Sequence, residues 1–182
     1  DGYTVLFDAN GAPSVIFQIT NPVIRLCTDP EPYMSFHELV ENIIQTVGEG
    51  YSLQKQDIFC KQSFHRDVPE SAEFLTKSYF KFFEGREYTD IKTYLILTQE
   101  AQKNNFIKYD SKKWGEFLVK VEKVADILAD KHVDYRKLSK QEVNEYIHRF
   151  MAFHFRNGAF SMNNFKVSDE FMPVSYTHLT LP

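Results

Sequence analysis

The sequence has little of what marks the common ATP-binding, nucleic-acid-binding and membrane-spanning proteins. Its seven glycines include no pair at the GxxxxGK spacing that wraps nucleotide phosphates, which excludes a P-loop within this chain. Lys and Arg number 21 against 25 Asp and Glu, so the net charge of -4 gives no general attraction to nucleic acid or anionic lipid. Any such contact has to be local. No apolar run approaches the roughly 20 residues that span a bilayer, and we expect a soluble, cytoplasmic domain.

Cysteine is also scarce. Cys27 and Cys60 lie among apolar residues and lack CxxC spacing. This arrangement favours reduced, buried thiols in a cytosolic protein over a disulfide scaffold, although a pairing of these two cysteines stays open.

The ends of the chain differ from ordinary protein sequence. The chain begins at Asp1 without a methionine, and Val174–Pro182 match one reading frame of a transposase-type sequencing adapter. Pro173 can be read partly from the same adapter. We therefore interpret 1–172 as the natural sequence and 173–182 as an adapter-derived tail that is idle in the fold.

What the sequence does contain is 43% hydrophobic and 15% aromatic residues, enough for one globular domain with a sizeable core. Alternating apolar residues on either side of Asp8–Gly11 predict a β-hairpin over Tyr3–Thr20. Ser35 and Glu38 have the spacing of a capping box, which predicts that the first helix begins there and ends at Gly48.

The middle of the chain predicts two strands with a helix between them. Leu53–Phe64 is the first strand, and Ile91–Thr98 is the second, which we expect to be buried on both faces because its apolar residues run together. Asp67 and Pro69 are expected to open the helix, and Gly85 to end it. Its aromatic residues recur at helical spacing, which favours packing against the sheet over a nucleobase-stacking platform.

Two more helices are predicted in the second half of the chain. One is capped by Asp110 or Ser111, and the other by a capping box of Ser139 and Glu142. The short gap between them predicts an αα-hairpin. Asn164–Val167 is a further candidate strand. Together these elements predict an α+β fold, with an antiparallel or mixed sheet of about four strands in the order β-β-α-β-α-β and the αα-hairpin appended.

The pattern of reactive side chains points to no active site. His37 to Glu41 resembles half of an HExxH zinc motif, but the second histidine is missing. There is no GxSxG elbow, and neither cysteine has a base partner in the sequence. We therefore predict no catalytic, cofactor-binding or metal-binding residue. A docking domain, a stand-alone adaptor, and an enzyme with a pocket near Glu142, His148 and His154 stay open.

Three stretches between residues 55 and 98 carry a family resemblance. The matching residues are Lys55, Gln56, Asp57 and Phe59 on the first strand; Phe74, Leu75, Tyr79, Phe83, Arg86 and Tyr88 on and after the helix; and Tyr94, Leu95 and Thr98 on the second strand. With the hairpin before them, they resemble the N-terminal region of TraG-type conjugative-transposon ATPases, relatives of the large ATPase that energises type IV secretion. The similarity runs on to about Phe171.

The resemblance implies a non-catalytic N-terminal domain whose work is docking or assembly. The Walker motifs of that family lie downstream, so ATP and magnesium are implied for the full-length parent and no cofactor for this fragment. The implied partners are other subunits of the conjugation machinery and the parent's own ATPase domain, with no direct nucleic acid, in the cytoplasm or at the periphery of the inner membrane. Oligomerisation is compatible with this role. The contact surfaces we expect are an edge of the sheet and the helix pair, through Trp114, Phe117, Val121, Tyr146 and Phe150.

Overall fold

The computed structural model describes residues 2–8, 10–22, 30–69, 71, 73–100 and 111–156. Its elements in chain order are β1 (Leu6–Phe7), β2 (Pro13–Ile19), α1 (Pro30–Val47), β3 (Tyr51–Ser63), α2 (Phe74–Phe83), β4 (Glu87–Gln99), α3 (Ser111–Asp130), β5 (Tyr135–Lys137) and α4 (Lys140–Met151). Cys27, the candidate strand Asn164–Val167 and the tail 173–182 lie outside the described residues.

The strands form one antiparallel sheet. Its spatial order is β1-β2-β4-β3, and β5 pairs with β2 on the edge that β1 also uses. The central strands β2 and β4 pair from Ser14 opposite Thr98 to Ile19 opposite Thr93. The predicted α+β fold with an antiparallel sheet is therefore confirmed, and among the described residues the sheet has five strands because Tyr135–Lys137 adds one.

The helices α1 and α3 cover one face of the central strands. Val15, Phe17 and Ile19 alternate along β2, so their side chains point to this same face. The largest side chains that meet them there have 1% exposure or less: Leu39, Ile43, Leu95, Leu97, Phe117, Val121, Val124 and Leu128. This cluster is the main hydrophobic core.

A second, smaller core lies on the opposite face of the sheet. Ile16 of β2 and Tyr94 of β4 point to it, and they pack with Val143 of α4 and with Phe155. Burial raises the pKa of Tyr94 to about 12. β4 is thus covered on both sides, as the continuous apolar run within Ile91–Thr98 predicts.

The predicted αα-hairpin is wrong. Because α3 packs on one face of the sheet and α4 on the other, the two helices do not lie side by side. The segment between them, Tyr135–Lys137, hydrogen-bonds along Ile19–Phe17 and so fills a free edge of β2. This pairing gives hydrogen-bond partners to backbone N–H and C=O groups of β2 that would otherwise lack them. It also takes the chain around the edge of the sheet from one face to the other.

The helix boundaries show which local signals are decisive. The predicted capping box of α4 is confirmed: the Ser139 hydroxyl accepts from the Glu142 backbone N–H at 3.5 Å, and the Glu142 carboxylate accepts from the Ser139 backbone N–H at 2.9 Å. The capping box predicted at Ser35 is wrong, because α1 already begins at Pro30, and proline is well suited to a first helical position.

None of the helices in the described part of the chain has the length and apolar content of a membrane span.

Candidate docking site

The hairpin of β3 and β4 continues beyond the rest of the sheet. These two strands pair along their whole length, whereas β2 reaches only as far as Thr93 of β4. The segments Ile58–Ser63 and Glu87–Lys92 therefore extend past the end of β2. We call these two segments and the described residues between them the arm, and we call α2 with its flanking residues 64–69, 71, 73 and 84–86 the arm tip.

The helix at the arm tip has almost no cover. All of α2 lies within the described residues, and none of its residues is buried. Phe74, Leu75, Tyr79 and Phe82 have exposures of 80%, 76%, 59% and 59%. This corrects the prediction that the aromatic residues of this helix pack against the sheet, and the helix also begins at Phe74 rather than near Pro69. Helical spacing shows that a face is apolar, but the hairpin register decides where that face lies.

One aromatic cluster attaches α2 to the hairpin. Phe64, just after β3, stacks on Phe80 with ring centres 6.0 Å apart, and it meets the edge of Phe83 at 6.3 Å. Gly85 ends the helix, as predicted, with a φ of 73° that favours glycine. Its N–H donates to the Phe64 carbonyl at 2.9 Å. The tip is therefore held in a defined position while its outer side chains stay exposed.

Most of the family-motif residues of the second and third stretches divide between the arm tip and the core. Phe74, Leu75, Tyr79, Phe83 and Arg86 come together at the tip. Tyr94 and Leu95 are buried on opposite faces of β4. The Thr98 hydroxyl forms a hydrogen bond of 2.8 Å with Ser14. Tyr88 and Phe59 lie on the arm strands with exposures of 47% and 67%.

The motif residues Lys55 and Asp57 belong to a polar network at the base of the arm. The Asp57 carboxylate pairs with Lys55 and accepts hydrogen bonds from the Thr93 hydroxyl at 2.6 Å and the Asn21 amide at 3.5 Å. Burial by itself raises the pKa of Asp57, but the hydrogen bonds from Lys55, Thr93 and Asn21 and the charge of Lys55 outweigh it. The pKa of Asp57 is therefore below its ordinary value. Sequence reasoning missed Thr93 and Asn21, which carry no local signal.

Acid should weaken the fold through this network. Because the folded-state pKa of Asp57 lies below the ordinary 3.8, its stabilisation is complete above that value and is lost as the pH falls through the folded pKa. Asp57→Asn removes this titration. We expect the difference in free energy of unfolding between wild type and Asp57→Asn to shrink from about pH 5 to about pH 2. Urea unfolding at several pH values measures the difference, and a constant value would contradict the expectation.

The motif residue Gln56 of β3 links the sheet to α4. The Tyr146 hydroxyl donates to the Gln56 amide oxygen, and burial raises the pKa of the Tyr146 phenol. Tyr146 also packs against Tyr94, with ring centres 4.7 Å apart. Gln56 therefore contributes to the second core.

A cleft of about 450 Å³ lies between α1 and the base of the arm. Its residues are Asn21, Tyr33, Phe36, His37, Val40, Lys55, Asp57, Phe59 and Ile91. The charged groups at its floor, Lys55 and Asp57, pair with each other. The cleft is therefore an apolar gap beside an ion pair whose two members both belong to β3.

The residues predicted as a contact surface on the helix pair have mixed positions. Phe117 and Val121 have 0% exposure in the main core, so they are corrected to core residues with no surface for a partner. Trp114 is partly buried, and it stacks on Phe7 with ring centres 5.7 Å apart. Tyr146 is half-buried, and Phe150 beside it is 43% exposed.

The three residues named for an enzyme pocket serve other purposes or lie apart from the cleft. Glu142 caps α4 and pairs with Arg136 at 2.9 Å, and hydrogen bonds from the Ser139 backbone and hydroxyl, with the Arg136 charge, keep its pKa low against the effect of burial. His148 is exposed, and neither it nor His154 lines the cleft beside α1. Within the described residues, no three His, Cys, Asp or Glu side chains are grouped to hold a metal ion.

No protein-family model and no curated protein matches this chain. The feature that stands out among the described residues is the arm tip, where large apolar side chains face outward on a helix without a buried residue. Exposed apolar clusters of this kind mark contact sites. The arm tip is therefore the candidate docking site.

Proposed function

We propose that this chain is the N-terminal docking and assembly domain of a conjugative-transfer ATPase of the TraG type. The observation that carries the proposal is the arm, which projects past β2 and ends in a helix whose apolar residues Phe74, Leu75, Tyr79 and Phe82 are exposed. A globular enzyme gains nothing from exposing such a helix, whereas a domain that assembles with others needs a contact surface outside its own core. Five of the family-motif residues lie at this tip, which supports the same role.

The partners follow from the resemblance to secretion ATPases. They are other subunits of the conjugation machinery and the ATPase domain of the same polypeptide, and the arm places the domain against that machinery. ATP and magnesium act in the downstream domain, and the fragment itself is not an enzyme. The protein works in the cytoplasm, at the periphery of the inner membrane.

The arm tip is expected to be required for conjugative transfer. Tyr79→Ser with Phe82→Ser, introduced into the full-length gene, should lower the transfer frequency about tenfold or more, because exposed aromatic side chains carry a large share of contact energy. The ATPase activity of the purified full-length protein should not change. Val119→Ser is the matched control, because Val119 on α3 is 55% exposed and lies outside the arm.

Two results would contradict the proposal. The first is a transfer frequency that the tip substitutions leave unaltered while the protein accumulates normally. The second comes from the genomic reading frame that contains this sequence: we expect it to encode a GxxxxGK motif downstream, and an early stop codon would remove the ATPase parent.

A further inference from the structure

The strand β3 lies at the outer end of the sheet. It pairs with β4 along its whole length of 13 residues, and among the described residues no strand pairs with its other side. A strand at the edge of a sheet presents a row of backbone N–H and C=O groups that lack a strand partner. Such a row recognises one kind of ligand, an extended chain that adds a further strand.

This edge has few of the features that keep edge strands from pairing. β3 contains no proline, and its register with β4 is regular throughout, without a bulge. It is also much longer than the usual strand of about five or six residues. Its two lysines, Lys55 and Lys61, are the remaining protection. The position of a negative charge therefore decides which strand can pair here.

β3 carries such a negative charge itself. Lys55 and Asp57 are two residues apart, so both side chains lie on the face of the sheet that α1 covers, where the Lys55 ammonium group lies 5.9 Å from the centre of the Phe36 ring. The two side chains pair with each other and are still 31% and 26% exposed. Because the pKa of Asp57 is lowered, its carboxylate is charged at neutral pH.

Two copies of β3 match each other in one antiparallel register. A two-fold axis normal to the sheet places Gln56 of one copy opposite Gln56 of the other and keeps α1 of both copies on the same face. Lys55 of each copy then lies opposite Asp57 of the other, so opposite charges meet twice across the contact. This register pairs Tyr51–Lys61 of the two copies.

The neighbouring registers are less favourable. Moving the centre by one residue from Gln56 places either Lys55 or Asp57 opposite itself, and like charges directly opposite each other destabilise a strand pair. Moving it two residues along the chain places Lys55 opposite Lys61. A centre at Phe59 pairs Asp57 with Lys61 but leaves the first four residues of β3 without a partner. The charges of β3 therefore select the register centred on Gln56.

We propose that two copies of this chain pair through the outer edges of β3 and form one continuous antiparallel sheet. In this dimer Leu53 lies opposite Phe59 of the other copy, and Phe59 is 67% exposed in the single chain. Because the two strands are antiparallel, the arms extend in opposite directions and both arm tips stay accessible. The inference goes beyond the docking role, since it concerns the edge of β3 and not the arm tip.

The mass of the purified 182-residue chain in solution tests the dimer. Sedimentation equilibrium between about 1 and about 100 µM should show a change from 21.4 kDa to twice that mass as the concentration rises. Lys55→Glu places two carboxylates opposite each other at both ends of the axis, so it should raise the dissociation constant of the dimer at least about tenfold. Lys55→Glu with Asp57→Lys restores opposite charges and should recover most of this loss.

Lys123→Glu is the matched control for these charge changes. Lys123 is exposed on α3, away from β3, and its substitution alters the net charge by the same amount as Lys55→Glu. This variant should dimerise like the wild type. Far-ultraviolet circular dichroism of each variant shows that it is folded.

A cysteine cross-link tests the register independently. Gln56→Cys places two thiols opposite each other, where Cα atoms of antiparallel strands are about 4.5–5.5 Å apart and a disulfide can form. Gln54→Cys is the control on the same face of β3, because residue 54 lies opposite Ile58 and more than about 13 Å from its own copy along the strands. Mild oxidation should link Gln56→Cys into dimers, whereas Gln54→Cys and the wild type, with Cys27 and Cys60, should stay at a common background.

Three results would overturn the inference. The first is a wild-type chain that stays monomeric at about 100 µM. The second is a dimer that Lys55→Glu does not weaken, or in which Gln54→Cys cross-links as well as Gln56→Cys. The third is a dimer that Tyr79→Ser with Phe82→Ser abolishes, because the contact would then lie at the arm tip. Transfer frequency is measured separately, so the loss of the β3 dimer leaves the docking role intact.

Discussion

Phe117→Ala is expected to lower the free energy of unfolding by about 3–5 kcal/mol. Phe117 belongs to α3, has 0% exposure, and is packed among side chains of α1, β2 and β4 in the main core. Removing its ring takes away apolar contacts and leaves a cavity. The neighbouring strands and helices are themselves fixed by packing, so they close that cavity only in part.

The matched control is Phe82→Ala at the arm tip. It removes the same ring at a position that is 59% exposed, so we expect a change within about 1 kcal/mol. Urea unfolding followed by circular dichroism measures both variants. If Phe82→Ala were as destabilising as Phe117→Ala, the tip would be part of the core, and the docking site would be lost with it.

Arg149→Met is expected to lower the free energy of unfolding by about 2–3 kcal/mol. The side chain of Arg149 is 9% exposed at the end of α4. Its guanidinium group donates to the Glu145 carboxylate at 2.7 Å, to the Arg156 carbonyl at 2.9 Å and to the His154 carbonyl at 3.3 Å. Methionine keeps an apolar side chain of similar length but has no donor, so the two carbonyls lose a charged partner.

Arg156→Met is the control for Arg149→Met. It removes the same charge from the next arginine along the chain, whose side chain is exposed. The free energy of unfolding should therefore change by less than about 0.5 kcal/mol. The same urea experiment applies. Equal losses for the two variants would mean that net charge, rather than the hydrogen bonds of Arg149, stabilises the end of α4.

Local patterns predicted much of the fold. The alternation before Thr20, the continuous apolar run in β4 and the capping box at Ser139 each depend on residues close in sequence, and each matches the structure. The apolar periodicity in the second half of the chain likewise predicted the helix α3, although Phe117 and Val121, which we expected to contact a partner, are buried in the main core. These features follow from backbone geometry and from which side of an element is apolar.

Contacts between distant residues were beyond such patterns. Asp57 meets Asn21 and Thr93 from separate segments, and no local spacing signals that they share hydrogen bonds. Arg149 looks like a surface residue of an amphipathic helix, yet the chain after α4 turns back and buries it against its own carbonyls. β5 was missed for the same reason, because a three-residue strand is defined by its partner β2.

The helices α2 and α3 divide what the sequence determined from what the tertiary structure decided. Sequence alone determined that both are helices with an apolar face. The tertiary structure decided that α3 is buried in the main core and that α2 is exposed at the arm tip. The physical reason is the sheet register: β3 and β4 pair past the end of β2, so the hairpin takes α2 away from the layers that could cover it. The sequence shows that a helix has an apolar face, and the long-range pairing of strands decides whether that face is covered within the same chain.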